Sequence, residues 1–147
     1  MQWTTEQEQV INHTAGDLLV AAAAGSGKTA VLVQHVISRI MDPVDPVKLS
    51  EMVIMTFTEA AAQEMRDRIK AALEEKLREH PDSAELIREA GSIQNASIST
   101  IDAFCKHFIT ENYAAIDLDP GFRMGDQGEL RLLQGDILAD LLEEEYA

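Results

Sequence analysis

With 147 residues, 46% of them hydrophobic, the chain has material for one core and reads as a single domain or as part of a larger protein. Its formal charge of −14 argues against a broad polyanion-binding surface, which would need clustered Lys and Arg, so any nucleic-acid site must be local or completed elsewhere. No run approaches the roughly 20 apolar residues of a bilayer crossing, the polar start Met1-Gln2-Trp3-Thr4-Thr5 is not that of a cleavable leader, and a cytoplasmic protein is expected.

In chain order, Thr5-Glu6-Gln7-Glu8 has the capping-box spacing that opens a short helix through Ile11. The stretch from Asp17 to Ala22, with the apolar run Leu18-Leu19-Val20-Ala21, predicts a first strand. Directly behind it Ala22, Ala23, Ala24, Gly25, Ser26, Gly27, Lys28 and Thr29 spell a phosphate-binding loop. Small residues let backbone N–H groups close around a β-phosphate, Lys28 reaches the β/γ oxygens as a point charge, and the Thr29 hydroxyl can ligate Mg²⁺. The usual pattern starts with Gly; Ala22 takes that place, while Gly25 and Gly27 keep the tight part of the turn. The loop predicts ATP or a similar nucleoside triphosphate, with Mg, as ligand.

The helix that follows is predicted through Ile40, with Val31, Leu32, His35, Val36 and Ile40 at helical spacing, and Asp42-Pro43 ends it. Its positive end then faces the phosphates. Met52 to Thr56 predicts a second strand of the near-continuous apolar kind found in parallel sheets. The two strands and the helix between them predict a βαβ unit.

Glu59 to His80 is strongly helical, with Ala61, Met65, Ile69, Ala72, Leu73 and Leu77 on one stripe, and Pro81 stops it. Asp82-Ser83-Ala84-Glu85 caps a short helix ended by Gly91. Glu74, Glu75, Glu79, Glu85 and Glu89 read as solvated helix faces. Ala96 to Ser99 predicts a third short strand, and Ile101 to Tyr113 a helix burying Ile101, Phe104, Cys105, Phe108 and Ile109. Cys105 is the one cysteine, so no internal disulfide forms, and with four scattered histidines it offers no metal-ligand spacing. The alternation makes the fold class α/β.

After the turn-rich Asp117-Leu118-Asp119-Pro120-Gly121, a helix capped by Asp126 and Glu129 carries Leu130, Leu133, Ile137, Leu138, Leu141 and Leu142. Its apolar stripe either folds back on the sheet or begins a domain that the chain does not complete. A hydrolysing P-loop enzyme also needs a strand-end acid for Mg²⁺. The nearest run, Ala114 to Asp119, is alanine-weak, follows a helix directly and reads as a loop. No arginine finger is evident, though Arg39, Arg66 and Arg68 are available, so the catalytic apparatus is incomplete.

Three segments in register carry a family resemblance. Trp3-Thr4-Thr5-Glu6-Gln7, Ala24-Gly25-Ser26-Gly27-Lys28-Thr29 and Thr56-Phe57-Thr58-Glu59-Ala60-Ala61-Ala62-Gln63-Glu64-Met65-Arg66-Asp67-Arg68-Ile69 resemble the Q motif, motif I and motif Ia of UvrD-like superfamily 1 DNA helicases. Ser99-Thr100-Ile101-Asp102-Ala103-Phe104-Cys105 resembles the next motif, and its Asp102, like Asp119-Pro120-Gly121-Phe122-Arg123, is similar to the AddA-type subunits of helicase-nucleases that process double-strand breaks. The resemblance covers essentially the whole chain and the N-terminal region of a much longer protein.

It implies a RecA-like P-loop NTPase sheet with flanking helices, incomplete, with a helical C-terminal extension. Residues 1–113 would be a partial motor domain and 114–147 the start of a truncated helical subdomain. Gln7 would read the adenine edge. Lys28 and Thr29 would serve catalysis, and Gly25 to Thr29 would hold phosphates and Mg. Phe57 and Thr58 would touch single-stranded DNA by stacking and by a phosphate or sugar contact, with Thr100 and Phe104 extending that track. From its residue type alone Phe57 reads as an ordinary core phenylalanine. Asp102 reads more simply as a helix cap than as a contact to phosphate. Ala30 departs from the arginine that many relatives carry there.

The implied protein is an ATP-dependent DNA helicase with nuclease activity in repair and recombination, working on single- and double-stranded DNA beside an AddB-type partner. These 147 residues alone would bind ATP weakly and not hydrolyse it, and can self-associate through the Leu130 to Leu142 helix. Two other readings stand beside it: a self-contained small P-loop phosphotransferase, and a non-catalytic nucleotide-binding interaction module.

Overall fold

A computed structural model describes residues 2–146 of the chain. It divides into two compact units, one running to His107 and one from Phe108 onward.

The first unit opens with α1 (Thr5–Ile11) and α2 (Lys28–Ile40). The cap of α1 is Thr4, one residue earlier than the sequence pattern suggested. Its hydroxyl accepts the Gln7 N–H at 3.3 Å, and Gln7 Oε1 accepts the Thr4 N–H at 3.0 Å. Thr5 is thus inside the helix. Helix α2 ends at Ile40 because Asp42 draws the chain into a turn, its Oδ1 accepting the Val44 and Asp45 N–H groups while Arg39 binds its other oxygen at 3.1 Å.

Then come a 3₁₀ turn (Leu49–Glu51), β1 (Val53–Thr56), α3 (Glu59–Glu79), α4 (Ala84–Ser92), a second 3₁₀ turn (Ile93–Asn95), β2 (Ser97–Thr100) and α5 (Ile101–Asn112). Strands β1 and β2 form a parallel pair in register, Val53 opposite Ser97 through Thr56 opposite Thr100. The observed parallel unit is therefore β1–α3–α4–β2, not the pair expected to flank α2. A parallel connection needs a crossover, and α3 and α4 supply it.

The expected strand from Asp17 to Ala22 is not a strand. It has no regular secondary structure and pairs with no described strand, with Leu18 and Val20 exposed and Leu19 95% exposed. Apolar composition gives a segment the tendency to lie in a sheet, but a strand exists only where a neighbour takes its N–H and C=O groups.

The core lies between α2, β1, α3, α4 and β2. Ile37, Leu49, Ile69, Leu73 and Leu86 are fully enclosed, with Val36, Ile40, Ile54 and Ile98 around them. In α3 the buried stripe is Ala62, Met65, Ile69 and Leu73, so Ala62 rather than Ala61 faces inward. Glu89 corrects the solvated-face reading of its helix. It is 3% exposed, and its Oε2 accepts the Leu49 N–H at 2.8 Å, tying α4 to the turn before β1. Gly91 lies within α4, whose cap is Ser83.

Helix α5 does not bury the side chains expected of it. Ile101, Cys105 and Phe108 are exposed, because an amphipathic pattern states the need for a covering surface and does not provide one. Its cap is Thr100, whose Oγ1 accepts the Ala103 N–H at 3.1 Å, so Asp102 sits in the first turn and is not the cap.

The second unit contains a 3₁₀ turn (Tyr113–Ile116) and α6 (Gln127–Tyr146). The run from Ala114 to Asp119 is not a strand, as expected. Asp126 and Glu129 cap α6, Asp126 Oδ1 accepting the Glu129 N–H at 2.9 Å and Glu129 Oε2 the Asp126 N–H at 3.1 Å. Leu130, Leu133, Ile137, Leu138, Leu141 and Leu142 are all exposed.

Candidate functional site

Between Ala21 and α2 the backbone makes a tight turn. Gly25 and Gly27 both lie at φ +79°, a left-handed geometry that costs other residues about 1–2 kcal/mol. The two glycines are thus required by the turn's shape, whereas the Ala residues of the loop need no left-handed geometry. Ala22, Ala23, Ala24 and Ser26 complete the loop, with the Ser26 N–H donating to the Ala23 carbonyl at 3.3 Å.

Gly27 is the first flanking residue of α2 and contributes no side chain to its end. The other described α-helices each have a capping side chain, supplied by Thr4, Thr58, Ser83, Thr100 and Asp126. The N-terminus of α2 is left open to an acceptor from outside, which is the polarity an anion requires.

Lys28 stands at this end. Its Nζ is exposed and donates to the Ala22 carbonyl at 2.8 Å and the Ala23 carbonyl at 2.7 Å. The ammonium group is thereby fixed over the loop with one N–H remaining. Thr29 follows in the first turn of α2, half-buried. The left-handed glycines, the open helix end and the accessible cation fit a triphosphate: Gly25 to Thr29 would supply N–H donors, Lys28 a charge and Thr29 a hydroxyl to a divalent cation.

Gln7 reaches the same loop from α1. Its Nε2 donates to the Ser26 carbonyl at 3.2 Å while its Oε1 serves the Thr4 cap. An amide has two N–H donors and two lone pairs, so one of each remains for a base edge. A cavity of about 720 Å³ opens beside it, lined by Gln7, Ser26 and Lys28 and walled by Val10, Leu18 and Leu32. His35 closes one side, with Nδ1 3.0 Å from the Ile11 carbonyl. Sequence reading gave His35 only a place on a helical stripe; its spacing carried no signal of a contact to α1. Glu6, another wall residue, has its carboxyl held below the ordinary value by its own backbone N–H and then by the Thr4 hydroxyl.

A second cluster sits where β1 and β2 end side by side. Phe57 is 92% exposed, so its ring is not core. The Thr58 hydroxyl accepts the Ala61 N–H at 3.2 Å and caps α3, retaining its own proton for a donor role. Thr100 is 8% exposed, and its hydroxyl donates to Glu59 Oε1 at 3.1 Å while accepting from Ala103. Phe104 is half-buried on α5. Glu59 was not singled out from sequence, because a glutamate opening a helix is ordinary dipole complementarity and its partner lies 41 residues on.

Comparison with known proteins gives concordant matches. The UvrD/REP helicase N-terminal domain matches residues 3–146. An ATP-dependent helicase/nuclease subunit of Clostridium perfringens is 51% identical over 99% of this chain. Proteins of the same description from Lachnoclostridium phytofermentans and Oceanobacillus iheyensis are 49% and 47% identical over 98% and 99% of it. The chain spans 12% of the length of the Clostridium perfringens and Oceanobacillus iheyensis relatives and 10% of the Lachnoclostridium phytofermentans one.

Proposed function

The chain belongs to the UvrD/REP helicase N-terminal domain family, and on that premise we propose that it is the N-terminal ATP-binding part of an ATP-dependent DNA helicase/nuclease acting in DNA repair and recombination. In this reading the α/β unit is an incomplete RecA-like P-loop fold, and residues 114–147 begin a helical subdomain. The observation that carries it is the turn at Gly25 and Gly27 leading into the side-chain-free N-terminus of α2, with Lys28 Nζ held over it.

Bound ATP with Mg would supply the phosphoanhydride whose cleavage drives movement. The chain's own residues would bind and orient it. Gln7 would present its remaining amide donor and acceptor to adenine, the loop N–H groups and Lys28 would neutralise the phosphates, and Thr29 would ligate Mg. Phe57 and Thr58, with Thr100 and Phe104, would form a track for single-stranded DNA; the exposure of Phe57 supports stacking on a base. The limited access to Thr100 favours a supporting place in that track.

The whole protein would act on single- and double-stranded DNA with an AddB-type partner in the cytoplasm. Among the described residues no helix is long and apolar enough to cross a membrane. These 147 residues alone would bind ATP weakly and release no phosphate in the steady state. Lys28-dependent steady turnover by this chain alone would overturn that part of the reading. Loss of DNA-dependent turnover on Lys28→Ala in the full-length protein would support the whole.

A further inference from the structure

A side-chain contact ties the helix that follows β1 to the end of β2. Thr56 and Thr100 are register partners at the ends of β1 and β2, and Glu59, the first residue of α3, accepts the Thr100 hydroxyl through Oε1 at 3.1 Å. The same hydroxyl oxygen takes the Ala103 N–H at 3.1 Å. One threonine and one carboxylate therefore link the opening of α3 to the opening of α5.

Local structure does not require this of Glu59. Thr58 already caps α3 through the Ala61 N–H, and a carboxylate in a first helical turn gains from the helix dipole wherever its side chain points. Instead the side chain is directed to a residue 41 positions away that is almost enclosed. The loop between β1 and α3 carries Phe57 and Thr58, and the first turn of α5 leads to Phe104. A carboxylate next to a DNA strand also repels phosphate, so its gain must come from the bond it accepts.

We propose that Glu59 is a positioning residue, whose bond to Thr100 holds the Phe57–Thr58 loop in fixed register with the start of α5, so that a single strand meets both as one surface. This rests on the DNA-track reading above. Glu59 touches neither nucleotide nor DNA; it acts through the geometry of its neighbours.

The test is ATP turnover of the full-length protein as a function of single-stranded oligonucleotide concentration. Glu59→Ala should raise the half-saturating oligonucleotide concentration about 3- to 10-fold, the value of one lost hydrogen bond, with turnover in the absence of DNA and half-saturating ATP unchanged. Glu59→Gln keeps an acceptor oxygen and removes the charge, so it should bind the oligonucleotide as well as the parent or better. In a Thr100→Val background Glu59→Ala should have no further effect. Parental behaviour of Glu59→Ala, an equal loss in Glu59→Gln, an undiminished loss in the Thr100→Val background, or a parallel fall in DNA-free turnover would each overturn the proposal. A parental protein whose turnover ignores the oligonucleotide would instead overturn the DNA-track reading, and this inference with it.

Discussion

Lys28 Nζ lies 2.7 Å from the carbonyl oxygen of Ala23, so the one cation of the loop is anchored by the backbone that it completes. A group oriented before its ligand arrives loses little on binding. Lys28→Ala should therefore lower ATP turnover of the full-length protein by about 10²-fold or more, with the fold intact by circular dichroism. Phosphate release beside a fluorescent-nucleotide titration measures both.

Gly25 and Gly27 share one φ of +79°, but their surroundings differ: a Cβ on Gly25 would meet nothing within 4 Å, and one on Gly27 would stand 3.6 Å from Gln7 Nε2. Neither is a clash, so backbone conformation sets the cost for both. Gly25→Ala and Gly27→Ala should each destabilise the loop by about 1–2 kcal/mol, with closely similar urea midpoints. A much larger loss at Gly27 would show that the contact to Gln7 matters more than the dihedral.

Leu73 is completely enclosed in the α3 stripe. Leu73→Ala should cost about 2–5 kcal/mol, read from urea unfolding, while Leu77→Ala at the half-buried end of the same stripe should cost less.

Removing the Glu89 carboxylate leaves the enclosed Leu49 N–H without its acceptor at 2.8 Å. Glu89→Ala should cost about 1–3 kcal/mol and Glu89→Gln much less, because the amide oxygen can still accept. Equal losses in the two variants would mean that the charge beside Arg88, 3.3 Å away, dominates.

Acid should loosen the start of α6. The Arg123 guanidinium, and after it the Asp126 N–H, hold the Glu129 carboxyl below its ordinary value of 4.5. A depressed carboxyl contributes stability that is fully present above its unfolded value and lost as pH falls through its folded value. Helix content should therefore fall below about pH 4.5, and Glu129→Gln should remove this site's share of that step. An unchanged acid titration in the variant would contradict the assignment.

Elements whose cause is local were readable before any coordinates. The glycine turn before α2, the span of α3 with Met65, Ile69 and Leu73 inward, and the Asp126–Glu129 cap follow from glycine placement, helical period and short-range hydrogen bonds. What escaped was relational. The segment from Asp17 to Ala22 has the composition of a strand, but no described strand takes up its backbone groups. Glu89 looks like any surface glutamate until the Leu49 N–H arrives from 40 residues away. Thr100 was nominated only through the resemblance, and its bond to Glu59, 41 residues away, left no mark in the residue pattern. In the loop itself residue types sufficed to nominate Gly25 to Thr29, whereas the link from Gln7 to the Ser26 carbonyl needed α1 placed beside it.

The unpaired segment before the turn also bears on how the chain must be handled. From Leu18 to Ala21 it carries no charge and no proline, and Leu19 points almost entirely into water. An uncharged apolar stretch with no strand beside it favours pairing with other strands, including its own copies. Concentrated stocks of these residues should turn turbid with time and bind amyloid dyes, and a lysine in place of Leu19 should keep them clear.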